Sequence, residues 1–384
     1  MAYNFDKVID RRKTSSLKWE LYKDRDIIPM WVADMDFAAP PAVIEAVQRR
    51  VDHGVLAYSV PPQELVDAVI ERMARLYNWK VEAHWIVWLP GMVVALNLAC
   101  RCVGEPGDEC LTFTPIYPPF LSAPPFSDRS LVKIPLTHDG RRTVIDLDAL
   151  EAAMTPRTRV LQFCNPHNPG GRAFTRNEIL AMAEICLKHD LVICSDEIHC
   201  DLILDEDTPH IPTATLSPEI AAQTITLMSP SKTFNIPGLN CAYAIIPDMK
   251  LRRQFTNVRR GIVPHVGVFG YEGAIPAYTA SEDWYQALIP YLRLNRDLVE
   301  ATIADIPGLA MEHLEATYLA WIDARKLGIE KPTKFFENAG VGLSNGKDFD
   351  AEGFVRLNFG CPRATLEEGL KRMRDAVTGK PSSL

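Results

Sequence analysis

Lys232 stands in Ser229-Pro230-Ser231-Lys232-Thr233-Phe234-Asn235, directly after the apolar run 225–228. Such a run reads as a buried strand, and ligands of open α/β sheets sit just outside the carboxyl ends of their strands. An amine flanked by hydroxyls at that place is either a solvated loop lysine or one set to meet an anionic, carbonyl-bearing ligand. Other strand-like runs end in the same suggestive way. Ser195-Asp196-Glu197-Ile198-His199 follows 191–194. Asp196, His199 and Asp201 could ligate a metal, an acid–base pair could lie there, or one carboxylate could pair with a cofactor's ring nitrogen. Asn165-Pro166-His167-Asn168-Pro169-Gly170-Gly171 closes 159–164 and presents two asparagine side chains, or is turn chemistry alone. Tyr117 lies just past 109–114, either to cover a flat ring or to pack in a proline-stiffened loop. Pro90-Gly91-Met92 separates 86–89 from an apolar helix. That junction is a plain turn or an anion site, because free N–H groups and the helix dipole point the same way. Arg356 sits among apolar residues in 353–360, paired with a buried acid or reserved for a carboxylate.

The elements that must position these groups alternate. Apolar spacing predicts helices over 43–51 (ended by Gly54), 64–77, 93–103, 146–154, 178–189, 249–260 and 268–305, the last broken at Pro276 and Pro290. Strands are predicted at 86–89, 109–114, 131–135, 159–164, 191–194, 225–228 and 243–246. Beyond 305 the pattern becomes strands 309–314, 317–323 and 353–359 with helices 334–338 and 365–377. Alternation followed by a helix-led tail predicts a large α/β domain at 46–275, with a central, mostly parallel sheet. A smaller α+β domain is expected from both ends, with 1–45 as arm and part of it and 276–384 as the remainder.

The formal net charge is −8, and basic residues cluster only as Arg252-Arg253 and Arg259-Arg260, so neither nucleic acid nor an anionic membrane is an expected partner. Nine cysteines, an odd number, show no zinc-ribbon spacing. The start is polar and lacks an apolar signal core. Together these suggest reduced thiols and a cytoplasmic protein.

In chain order the strand ends carry an aromatic, an asparagine, an aspartate and a lysine, preceded by a glycine turn at a helix start. Pyridoxal 5′-phosphate would use them all: an amine for its aldehyde, donors for its phosphate, a carboxylate for its ring nitrogen and a donor near its phenolic oxygen. The motifs above, with Met30-Trp31-Val32-Ala33-Asp34-Met35-Asp36-Phe37, Ala316-Thr317-Tyr318-Leu319-Ala320-Trp321 and Val355-Arg356-Leu357-Asn358, resemble fold-type I pyridoxal-phosphate enzymes, the aspartate aminotransferase superfamily. Within it they resemble the MalY/PatB-type cystathionine β-lyases, or C–S lyases, over nearly the whole chain.

The resemblance implies that Lys232 is the lysine joined covalently to the cofactor and that Asp196 pairs with its ring nitrogen. Asn168 and His199 match the positions near the phenolic oxygen, where most aminotransferases carry tyrosine in place of His199. Tyr117 matches the stacking aromatic. Gly91, Met92 and Val93 match the phosphate-binding helix start, with hydroxyls from Ser229 and Ser231. Tyr58 matches a tyrosine reaching the phosphate of a neighbouring subunit, which implies a homodimer. Arg356 matches the arginine that holds the substrate α-carboxylate. Asn240 departs from the pattern, since many aminotransferases place a phosphate-binding arginine there. The implied reaction is β-elimination of a thiol from L-cystathionine or a related S-substituted cysteine. The alternatives are an aminotransferase and a dual-role or regulatory protein on the same fold. Trp31, Tyr117 and 265–269 are expected to line the pocket.

Overall fold

The computed structural model describes residues 3–379; residues 1–2 and 380–384, the outer ends of the two terminal segments expected above, lie outside it. A seven-stranded sheet runs, edge to edge, Ile86–Leu89, Ala242–Ile245, Thr224–Met228, Val192–Asp196, Thr158–Cys164, Glu109–Thr114 and Ser130–Pro135. Only Ala242–Ile245 is antiparallel to its neighbours; the remaining pairs are parallel. The other six strands therefore end on one edge, where Ala242–Ile245 begins. The Glu109–Thr114 and Thr224–Met228 strands are buried along their whole length, which is why they read as near-continuous apolar runs.

Helices cover the sheet. Arg176–Lys188 begins with a capping box between Thr175 and Glu178. Pro41–His53 ends at Gly54, whose φ of 80° is left-handed and suits glycine. A second sheet, of Leu319–Asp323, Phe354–Asn358 and Ser344–Asn345, is antiparallel. Its core is shared with residues from both ends of the chain, among them Phe5, Met30, Phe37, Leu288, Leu357 and Met373. Ile28–Pro29 pairs with Val341–Gly342 and ties those ends together.

The structure departs from the sequence reading in four places. The expected break at Pro276 is absent: Val268–Thr279 continues through it, and Ser281, two residues past its end, donates its hydroxyl to the Pro276 carbonyl at 2.8 Å. Pro290 likewise lies inside Glu282–Ala304 on the solvent side, so the carbonyl its ring displaces faces water. Residues 309–314 are not a strand; only Ala310 bridges Asp323, and the Leu314 N–H donates to the Glu300 carboxylate at 2.9 Å instead. The proline-rich stretch after Tyr117 is a helix, Pro118–Phe126, because Pro118 and Pro119 occupy its first turn, where a missing N–H costs nothing.

Candidate active site

The carboxyl edge of the large sheet encloses a cavity of about 320 Å³. Asp196 ends the Val192–Asp196 strand, Asn168 and Tyr117 follow two other strands, and Lys232 and Ser231 follow Thr224–Met228. All five line the cavity with Gly91, Met92, Val93, His199, Ser229 and Asn240. Tyr58 is not brought there by its own chain: it projects fully exposed from the 55–60 segment.

One wall is built for an anion. Met92–Cys102 begins at the cavity, and the first N–H groups of a helix have no partner within it. Gly91 is extended, and a Cβ built on it meets nothing within 4 Å, so any larger side chain would project into open space at the helix start. Gly91→Leu is therefore expected to weaken pyridoxal-phosphate binding about tenfold or more, without moving the melting temperature of the cofactor-free chain. Equilibrium dialysis and thermal unfolding measure the two. The Ser229 hydroxyl lies 2.7 Å from the Cys241 carbonyl and 2.8 Å from the Ser231 hydroxyl. Ser229 thus braces the loop behind Ser231.

The opposite wall carries the titrating groups. Asp196 accepts one hydrogen bond, from the Ile198 N–H at 3.1 Å. Burial pushes its carboxyl up to about 7. Lys232 donates from Nζ to the Ala33 carbonyl at 2.6 Å. Burial and the Arg356 cation lower its amine to about 8, against the attraction of Asp34 and Asp196. His199 is buried, which holds its imidazole neutral with its pKa lowered to about 3, and its Nδ1 has no partner. The Asn168 Oδ1 accepts from Arg356 Nη1 at 2.8 Å, which leaves the Asn168 amide N–H groups for the cavity.

From the sequence, Arg356 pairs either with a buried acid or with an anionic ligand. Its partners are all neutral: Asn168 Oδ1, the Trp31 carbonyl at 2.9 Å and the Ser344 hydroxyl at 3.2 Å. Its Nε is buried without a partner, and its guanidinium lies 4.7 Å from the Phe349 ring centroid. Burial lowers its pKa to about 10. A buried cation without a counter-ion suits an incoming carboxylate. Asp201 is bound by Arg72 at 2.6 Å and by Thr233 at 2.8 Å, and no metal-holding cluster of His, Cys, Asp or Glu exists among the described residues. Of the expected lining, Tyr117 faces the cavity and Trp31 offers its carbonyl to Arg356. His265 lines a separate cleft with Val60 and Arg260.

Sequence reading missed the frame behind these groups. The 31–37 loop is pinned by two asparagines. Asn235 accepts from the Met35 N–H and donates to the Met35 and Phe37 carbonyls. Asn358 donates to the Val32 and Asp34 carbonyls. Both sit beside residues already singled out, and Asn358 shares a strand face with Arg356 by the period of two, a signal available in the sequence. Arg11 and Lys18 close the loop from outside through Asp34 and Asp36.

An electron-poor ring bearing a phosphate fits these donors: a helix start for its anion, a carboxylate with a single hydrogen bond for its cationic nitrogen, and a neutral imidazole and an amide for its oxygen. The comparisons agree. The family profile for aminotransferases of class I and II matches residues 25–373. Cystathionine β-lyase PatB of Bacillus subtilis is 38% identical over 387 residues, covering 98% of this chain and 100% of that protein. A crystal structure of OvoB matches at 46% identity with a TM-score of 0.96, over 98% of this chain and 99% of that one. Cystalysin from Treponema denticola, whose crystal structure contains pyridoxal 5′-phosphate, matches at 31% identity and a TM-score of 0.95, over 99% and 100%.

Proposed function

The chain belongs to the family of class I and II aminotransferases, and from that premise we propose that it is a pyridoxal-phosphate-dependent carbon–sulfur β-lyase. It cleaves L-cystathionine or a related S-substituted cysteine to a thiol, pyruvate and ammonia. The observation that carries this reading is one cavity holding a lysine of lowered basicity and a buried carboxylate, beside an arginine with only neutral partners. Near-full-length identity to a named cystathionine β-lyase supports the substrate class.

When bound, pyridoxal phosphate supplies an aldehyde for the substrate nitrogen and a ring that accepts the electron pair left at Cα. The chain does the rest. Gly91, Met92 and Val93, with Ser231, would hold the cofactor's phosphate. Asn168 and His199 would hold its phenolic oxygen, and Tyr117 would lie against its ring. Asp196 would keep its ring nitrogen protonated. Arg356 takes the α-carboxylate in its fork and so fixes the Cα–H bond relative to Lys232. An amine near pKa 8 is neutral in a useful fraction at neutral pH, so Lys232 removes the Cα proton. The Cβ–S bond then breaks: the pair left at Cα becomes the Cα=Cβ bond, the thiolate leaves with the Cβ–S pair, and the enamine product takes up water to give pyruvate and ammonia.

A second copy completes the site in this proposal. Val55, Leu56, Tyr58 and Val60 form a continuous exposed segment, an uncommon density of large side chains for free surface. Tyr58 from such a copy would reach the phosphate end. Nine buried free cysteines support a reducing, cytoplasmic setting, and no helix among the described residues is long and apolar enough to cross a membrane. Purified protein with pyridoxal phosphate is expected to release pyruvate and thiol from L-cystathionine in equal amounts without any keto acid. It should sediment at about twice its chain mass of 43.0 kDa. Amino-group transfer to an added keto acid with no pyruvate would replace this reading with an aminotransferase.

A further inference from the structure

The Ala33 carbonyl oxygen accepts two hydrogen bonds: one from Lys232 Nζ at 2.6 Å and one from the Tyr318 hydroxyl at 2.9 Å. Nothing in the reaction derived above uses Tyr318. Its ring is 1% exposed and lies edge-on to His199, centroids 6.2 Å apart. A buried tyrosine could satisfy its hydroxyl on many carbonyls. This one shares the acceptor of the lysine amine.

The arrangement is held from both sides. On one side, Asn358 donates to the carbonyls of Val32 and Asp34, which flank Ala33, and Asn235 donates to that of Met35. On the other, Thr317 has a φ of 70°, which is costly for a β-branched residue. Its N–H donates to the Leu202 carbonyl at 2.8 Å, and the preceding Ala316 N–H donates to Gly171 at 2.9 Å. That strained, anchored residue sets the direction in which Tyr318 leaves the chain.

We propose that Tyr318 is a positioning residue: its hydroxyl fills one lone pair of the Ala33 carbonyl and so leaves the Lys232 amine a single acceptor at a fixed place. A carbonyl offers two lone pairs. With one taken, the oxygen accepts from Lys232 less strongly, and the amine gains less from holding an extra proton. The other groups that face Lys232 are Arg356, which disfavours its ammonium form, Asp34 and Asp196, which favour it, and the neutral His199. Tyr318 adds to the effect of Arg356 without adding charge. It rests on the reading of Lys232 as the base of the reaction.

The test uses the full chain without cofactor. Reductive methylation by formaldehyde, read at Lys232 by mass spectrometry across pH, reports the neutral amine directly. In Tyr318→Phe the midpoint is expected to rise by about half to one pH unit, roughly three- to tenfold less neutral amine at pH 7. Site-specific 3-fluorotyrosine at 318 keeps the shape, strengthens the donor and should lower the midpoint. That second variant decides the matter if Tyr318→Phe fails to fold. In the loaded enzyme the acid limb of kcat should move with the midpoint while KM holds. Midpoints within about 0.2 unit of wild type, or moving the same way in both variants, would overturn the proposal. Failure of the assignment of Lys232 would look different: a cofactor absorbance band that survives Lys232→Ala.

Discussion

Lys232→Ala is expected to lower kcat for L-cystathionine by about four orders of magnitude, because one group both holds the cofactor covalently and moves the Cα proton. The loss should fall on kcat rather than KM, since Arg356 still binds the α-carboxylate. The absorbance band of the covalently held cofactor should vanish while pyridoxal phosphate still binds at the helix start and Asp196. Steady-state kinetics and an absorbance spectrum of the same sample are sufficient. A variant that kept a tenth of wild-type kcat would remove Lys232 from the chemistry.

Asp196→Asn is expected to cost about 10²- to 10³-fold in kcat, in line with the loss of one preorganised electrostatic partner of a developing charge. The substitution is isosteric, and its amide oxygen still accepts from the Ile198 N–H. Its second consequence runs the other way. The Asp196 carboxyl is raised from 3.8 to about 7 because burial penalises the ionised form. A raised carboxyl costs stability where the unfolded chain is ionised. The cost is therefore absent below about pH 4 and grows to about 4 kcal/mol as pH rises through 7 in the cofactor-free chain. Lys232 has the opposite window: its lowered pKa costs stability in full below about 8, and the cost fades towards 10.5. Cofactor-free Asp196→Asn should thus match wild type at pH 4 and be the more stable protein at pH 8. Denaturant unfolding at both values checks this, and no gain at pH 8 would mean the carboxylate is not held at a cost.

What could be read in the sequence follows from where its signals lie. The parallel strands are apolar runs ended by proline, glycine or polar residues, so their carboxyl ends, and the side chains just beyond them, were placed within a residue or two. Lys232, Asp196, Asn168 and Tyr117 all fall there, and all line one cavity. The prolines misled in two directions. At 118–126 they suggest a stiffened loop where Pro118 and Pro119 begin a helix, and at 276 and 290 they suggest breaks where the helices run on. The Ala33 carbonyl could not be found from residue types, because the chemistry belongs to a backbone atom. Its value arises only when Lys232 and Tyr318 meet it across 199 and 285 residues of chain.

Those separations also set an order of biosynthesis. The helix start at Met92, Asn168, Asp196 and Lys232 have all been synthesised once residue 232 has left the ribosome. The amine's resting place has not been secured, because the 31–37 loop is held by Asn358 and meets Arg356 through the Trp31 carbonyl, 325 residues away. Contacts so distant in sequence close late, after the loop-closure entropy has been overcome. A nascent chain can therefore offer a cradle for the cofactor well before it can restrain the reactive amine. Phe354–Asn358, the last strand among the described residues, turns a binding fold into an enzyme.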